Sequence, residues 1–295
     1  MSVGGFFSSG FTRQPKGLVG YVLTAYAALF VLWSAYAAVF SRLDALVLVT
    51  LFLSFMLVLV FSTIAAVSER PEHDSDRVPF YDWAFVLGSI CCGVYFALNA
   101  DAIATRITLL DPLSMTDIMF ASLLIILCLE VCRRTVGLLL TGIVVCFMVY
   151  NLYGHVLPAP FGHGYIGFEH FLDIMMFTTD GLFGTPLRVA ATYVLLFVLF
   201  GTFLANAGGG EFFNNLAASV AGARVGGPAK IAVVSSGLYV TISGSPTSDV
   251  VTTGSITIPM MKKIGYPATV AGAVEVAAST GGSILPPVMG SAAFI

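Results

Sequence analysis

The residues best equipped for chemistry lie in one apolar run, Ile231–Pro287, reading IAVVSSGLYVTISGSPTSDVVTTGSITIPMMKKIGYPATVAGAVEVAASTGGSILPP. Small polar residues interrupt it twice, at Ser243–Asp249 and at Ser279–Pro287. Around the first interruption Ser243, Ser245, Thr247, Ser248, Thr252 and Thr253 supply hydroxyls, with Gly244 and Asp249 among them. A helix that ends near Ile242–Gly244 leaves free carbonyls with partial negative charge. One that begins near Thr247–Asp249 leaves free amides with partial positive charge. Carbonyls and hydroxyls together suit a hard monovalent cation, and the amides suit an anion. The chemistry expected here is ion binding rather than bond making.

Two carboxylates sit in this apolar setting. Asp249 has two open readings, a cap on the second helix and a direct part in ion coupling. Glu275 lies in AGAVEVAAS, one turn before the second interruption. An intramembrane carboxylate is a functional candidate, but the preferred expectation is structural: Glu275 accepts hydrogen bonds from broken backbone nearby. Ser279, Thr280, Gly281 and Gly282 are expected to interrupt a helix running from Pro267, and Pro286 and Pro287 prevent its regular continuation. Glu130, near a membrane end, is expected to be solvated.

Other chemistries find less support. His155, His163 and His170 share one loop, but no Cys or clustered carboxylate completes a metal set, and an exposed partner-docking surface is expected there. Cys91, Cys92, Cys128, Cys132 and Cys146 all lie in apolar runs without disulfide or zinc spacing, so packing is their expected role. Gly208–Gly210 lacks the Lys-Ser/Thr of a phosphate loop, so ATP is not indicated. No nucleophile–base pair or cofactor motif is present, which argues against an enzyme. No cofactor and no nucleic-acid partner are expected.

The elements that must position these residues are membrane helices. The chain of 295 residues is 58% hydrophobic and only 10% charged, where soluble domains carry about 25% charged residues. Spanning helices are expected at 17–40, 43–67, 79–98, 115–132, 135–152 and 187–205. SERPEHDSDR (Ser68–Arg77) belongs in water. FEHFLDIMMF (Phe168–Phe177) reads as an amphipathic helix lying in the interface or beneath the protein, with Glu169, His170 and Asp173 on its polar face. Residues 206–230 are Gly-rich with short amphipathic pieces.

If each helix crosses once, Arg13, Lys16, Arg70, Arg77, Arg133, Arg134, Arg224, Lys230, Lys262 and Lys263 share one side. Only Arg42, Arg106 and Arg188 fall on the other. This bias places the N-terminus in the cytoplasm. Lys230 and Lys262 then flank an apolar segment on the same side. Ile231–Ser243 spans only about 20 Å as a helix, short of the roughly 30 Å hydrocarbon core. The expectation is a re-entrant hairpin over 231–261, turning at Gly244–Thr247, with two short spanning helices as the alternative.

The runs TISGSPTSDVVTTGSITIPMMKKIGYP and AGAVEVAASTGGSILPPVMGSAAF resemble the large permease subunit of TRAP (tripartite ATP-independent periplasmic) transporters of the TAXI subgroup, as do GTPLRVAATYVLLFVLFGTFL and GGPAKIAVVSSG upstream. The likeness runs from about Thr135 to the end. Residues 1–134 resemble, more loosely, the small membrane subunit fused in front. The resemblance implies an all-α polytopic protein of the bacterial inner membrane. It implies sodium-driven, elevator-type uptake of an organic anion, often a carboxylate, delivered by a periplasmic substrate-binding protein. It assigns Ser243, Gly244, Ser245, Thr247, Asp249, Thr252 and Thr253 to the inner hairpin. Ser279, Thr280, Gly281, Gly282, Pro286 and Pro287 fall in the first broken helix (267–290), and Ser243, Ser245, Asp249 and Thr280 become candidate sodium ligands.

Family permeases carry an inverted second half with its own hairpin and broken helix. Only one of each is legible before Ile295. The expectation is that the other half lies in a continuation of the chain or on another chain, and that these residues alone do not transport. The competing readings are another sodium-coupled carboxylate carrier and a non-transporting membrane scaffold that docks a partner.

Overall fold

The computed structural model describes residues 10–13, 15, 17–40, 44–66, 78–158, 160–222, 225–244, 246–282 and 284–285. The elements are α1 (Leu18–Phe40), α2 (Ala45–Thr63), α3 (Phe80–Leu98), α4 (Ala100–Thr105), α5 (Met115–Thr135), α6 (Leu138–Tyr153), a 3-10 turn (Gly154–Val156), α7 (Phe168–Met176), α8 (Thr185–Val189), a π turn (Ala190–Val194), α9 (Leu195–Asn206), α10 (Gly209–Ala221), α11 (Gly227–Ser243), α12 (Pro246–Thr252), α13 (Gly254–Lys263) and α14 (Ala268–Gly282). Among the described residues six helical stretches are long and apolar enough to cross a membrane: Leu18–Ala37, Ala45–Thr63, Phe80–Leu98, Met115–Thr135, Leu138–Val156 and Thr185–Leu204. This is an all-α polytopic membrane protein, as expected. Ser68–Arg77 lies outside the described residues.

The chain packs as two compact units, Met1–Arg188 and Val189–Ile295. In the first unit local chemistry sets the helix starts. The Asp44 side chain accepts from the Leu46 amide at 2.7 Å, and Ser114 with Asp117 forms a reciprocal capping box on α5, which satisfies amides that have no partner within the helix. Helices α2 and α3 approach closely because Gly93 faces Ser54, where any side chain would collide. The Ser54 hydroxyl also donates to the Ser89 carbonyl at 2.9 Å. Phe61, Cys92, Phe96, Leu124 and Leu127 fill the core.

Helix α7 departs from its expected position. Phe171, Leu172, Met176 and Phe177 join the core of the first unit. Asp173, expected on the polar face, is buried. It accepts from the Leu109 amide at 2.8 Å and lies 3.6 Å from Arg106. The amphipathic pattern is real, but a charged partner from the loop between α4 and α5 draws Asp173 inward.

One end of the unit is tied by charge. Residues 10–13 lie against the end of α2, with the Arg13 amide donating to the Thr63 carbonyl and the Ala65 amide to the Phe11 carbonyl. Arg13 reaches Asp82 at 2.6 Å, and Arg134 reaches the other Asp82 oxygen at 2.7 Å. Arg134 also bonds Glu130 at 2.7 Å and lies over the Phe61 and Phe85 rings. Glu130 is therefore not simply solvated. It is 21% exposed and held by Arg133 and Arg134, because positions three and four apart meet on a helix. The leader, the ends of α2 and α5 and the start of α3 thus share one end, as alternate crossing requires. The five cysteines are free, but Cys91 and Cys146 are exposed on apolar helices rather than packed inside.

Asp82 is fully buried between two buried guanidinium groups, so removing it takes a carboxylate from Arg13 and Arg134 at once, with Glu130 left to Arg134. Asp82→Ala should lower the unfolding free energy by about 3–5 kcal/mol in reversible unfolding measured in detergent. A loss below about 1 kcal/mol, typical of a surface ion pair, would show that the Asp82 ion pairs do not hold this end of the unit together.

Candidate functional site: a buried carboxylate–hydroxyl cluster

The second unit is built around the interrupted stretch. Helix α11 ends where Gly244 turns left-handed at φ +65°, a conformation glycine adopts without strain. The chain then reverses into α12 and α13. Thr253 stands between them, but helical bonding continues across it. The Thr253 amide donates to the Asp249 carbonyl at 2.8 Å, and the Thr257 amide to the Thr253 carbonyl at 2.9 Å. Asp249, Thr253 and Thr257, each four residues apart, therefore share one face. On α14 the same spacing aligns Glu275 with Ser279.

These faces meet in the interior. Asp249, Thr253, Thr257, Glu275, Ser279 and Ser236 of α11 are all 0% exposed. The Thr253 hydroxyl lies 2.7 Å from Asp249 Oδ1 and 2.8 Å from Glu275 Oε1. Ser236 donates to Glu275 Oε1 at 2.8 Å, and Thr257 to Glu275 Oε2 at 2.5 Å. Ser279 donates to Asp249 Oδ2 at 2.5 Å. Among the described residues neither carboxylate forms an ion pair with a base.

Glycine permits this closeness. A Cβ on Gly254 would sit 3.1 Å from Glu275 Cγ, one on Gly282 2.8 Å from Val240 Cβ, and one on Gly201 of α9 2.8 Å from Ser243 Cα.

The structure brings together only part of the expected set. Asp249 lies within α12, and its carboxylate oxygens accept from Thr253 and Ser279. Glu275 has three hydroxyls around it, of Ser236, Thr253 and Thr257, where broken backbone had been the expected donor. Ser243 is buried beside Gly201, and Thr252 packs against Gly210. Thr280 points away: it is exposed, and its hydroxyl donates to the Val276 carbonyl at 2.7 Å. Gly281 faces open space and Gly282 is buried against α11. Ser279–Gly282, expected as a break, is helical, and α14 ends only at Gly282. The Ser279 hydroxyl, which faces Asp249, also lies 2.9 Å from the Glu275 carbonyl one turn earlier. Ser245, Pro286 and Pro287 lie outside the described residues, as do the side chains of Thr247 and Ser248. Ser236 and Thr257 belong to the cluster and were not anticipated. The four-residue spacing from Asp249 through Thr253 to Thr257 was the available signal.

Residues 123–295 match the family described as tripartite ATP-independent periplasmic transporter, DctM component. The chain belongs to this family. Its carboxylate cluster lies wholly inside the matched region. Over 129 residues the chain is 30% identical to the C4-dicarboxylate TRAP transporter large permease protein DctM of Pseudomonas aeruginosa. That stretch covers 41% of this chain and 30% of the relative's length. No solved structure matches. A TRAP permease component carries solutes rather than converting them, in agreement with the non-enzymatic expectation.

If the Thr253 hydroxyl links the two carboxylates, Thr253→Val should cost about 1–3 kcal/mol of stability, and Thr253→Ser should restore most of it. Equal stability of the Val variant and the parent in a thermal or denaturant series would remove the link. Gly282→Ala should destabilise by about 1–3 kcal/mol through overpacking against Val240. A neutral result in the same series would show that α11 and α14 tolerate separation.

Proposed function

We propose that this chain is part of a sodium-coupled secondary transporter that takes up an organic anion, a carboxylate by class, across the bacterial inner membrane. A periplasmic substrate-binding protein delivers the anion. The supporting observation is the buried oxygen cluster. Two carboxylates without a basic partner are costly in a dry interior, and a bound cation offsets that cost. Asp249, Thr253, Ser279 and the carbonyls ending α11 near Ser243 supply the hard oxygen donors such an ion prefers.

On this reading the chain is of the TAXI type. Residues 1–134 serve as small-subunit-like scaffold helices and 135–295 as the first half of the permease. Helix α11 has 17 residues, about 25 Å of rise, still short of the roughly 30 Å hydrocarbon core. That length and the Gly244 reversal support a hairpin re-entering from the cytoplasm. The clustering of Arg13, Arg133 and Arg134 at one end supports a cytoplasmic N-terminus. Transport takes place by an elevator motion and requires an inverted second half, supplied by the same chain or another.

One specific observation favours a second coupling ion. The Thr253 hydroxyl has a single hydrogen but lies between two carboxylate oxygens. An added proton on either carboxyl would fill the contact that the hydroxyl leaves without one.

In a protein that contains both permease halves, Asp249→Ala should abolish most sodium-stimulated uptake into proteoliposomes supplied with the binding protein, with membrane insertion unchanged. Undiminished sodium stimulation would remove the cluster from coupling. Uptake driven by a pH gradient without sodium would select the proton instead. A cysteine at position 262 should be labelled only from the cytoplasm, and labelling from the periplasm would overturn the hairpin. Failure of the complete, correctly inserted protein to carry any anion would favour a non-transporting scaffold.

A further inference from the structure

We propose that residues 160–167 are held to the end of α6 by a proton-operated clasp whose closing element is the His163 imidazolium. The geometry is specific. His163 Nδ1 lies 2.6 Å from the Gly164 carbonyl oxygen, and Nε2 lies 2.9 Å from the Tyr150 carbonyl oxygen. Carbonyl oxygens only accept, so both ring nitrogens must donate. A neutral imidazole carries one N–H and the imidazolium carries two. Only the charged ring satisfies both contacts, and loss of its proton leaves one nitrogen lone pair facing an oxygen.

The seat for the ring is built from both sides. The Tyr150 ring stands edge-on to His163 with centroids 5.3 Å apart, and the Tyr150 hydroxyl donates to the Phe161 carbonyl at 2.7 Å. Gly154 closes the other side. A Cβ there would collide with Nε2 and with Cδ2 of the ring. The flanking titratable groups are Tyr150 on α6, His155 on the 3-10 turn and Tyr165 in the loop. His155 is itself engaged with the Leu152 carbonyl and the Tyr165 ring. Among the described residues no carboxylate, Lys or Arg is bonded to His163.

The two carbonyls hold the His163 imidazolium above its ordinary pKa. The direction of the effect follows. Both His163 bonds are in place below the ordinary histidine value of about 6.5, and one of them is lost as pH rises through the raised value. That loss loosens the loop, which the Tyr150 hydroxyl still holds at Phe161, but not α7, whose Phe171 and Leu172 stay in the core. The clasp lies at the end of the unit opposite the leader. On the orientation proposed above, that end faces the periplasm, where pH follows the medium.

The test uses the whole chain in nanodiscs and reads two signals, the His163 Cε1 proton titration by NMR and the hydrogen-exchange protection of the loop, read at the Phe161 amide, which donates to the Pro158 carbonyl. Both are followed between about pH 5.5 and about pH 8.5, on either side of the ordinary value. The wild type should titrate above the ordinary value, and its loop protection should fall over the same interval. His163→Phe keeps the ring packing and should show low protection at every pH. Gly154→Ala keeps the imidazole but unseats it, and should return the titration to the ordinary value. A wild-type titration at or below the ordinary value would overturn the clasp. So would loop protection that is indifferent to pH, or pH-dependent protection that survives in His163→Phe.

Discussion

A bilayer interior offers no water to a polar group, so every buried donor, acceptor and charge must find its partner within the chain. Both units are organised by that constraint, and they meet it differently. In the first unit opposite charges neutralise one another: Asp82 sits between Arg13 and Arg134, Glu130 between Arg133 and Arg134, and Asp173 beside Arg106. In the second unit two carboxylates are met by hydroxyls alone. Hydroxyls satisfy hydrogen-bonding capacity without cancelling charge. In the first arrangement opposite charges balance within the chain, whereas in the second, among the described residues, no basic side chain is paired with either carboxylate.

Close approach is the other half of the arrangement. Hydroxyl-to-carboxylate contacts of this length require helix backbones nearer than large side chains allow. Gly254 lies against Glu275, Gly282 against Val240 and Gly201 against Ser243. In lipid, where burial of apolar side chains gives little driving force for helix association, small residues and interhelical hydrogen bonds carry much of the packing. The glycines and the cluster are thus one device, since the bonds form only at a spacing the glycines permit.

Much of this was legible in the residues. Composition and run length identified the membrane helices, and Gly244 beside Pro246 marked the reversal. Asp249 and Glu275 stood out because a carboxylate in an apolar run needs a reason. What escaped was decided by partners distant in sequence. Ser236 looks like an ordinary small residue until α14 is laid against α11. Asp173 fits the polar face of α7 until Arg106 is placed beside it. Ser279–Gly282 has a breaker's composition, yet those residues remain helical, with Gly282 packed against α11. Thr280 shares the motif with Ser279, but a helix turns neighbouring side chains by about 100°, so only one of the two can face the carboxylates.

The π turn at Ala190–Val194 bears on this geometry from a distance along the chain. A π turn accommodates one extra residue in an otherwise α-helical path. The extra residue is absorbed within the turn, so the helix beyond keeps the phase it would have had without it. The side of α9 that carries Gly201 is therefore turned by about 100° from where an unbroken α-helix over the same residues would put it. Chain length in this segment is part of the specification of the site. Straightening the turn into an α-helix with every residue kept would bring Phe200 to the slot that Gly201 occupies against Ser243.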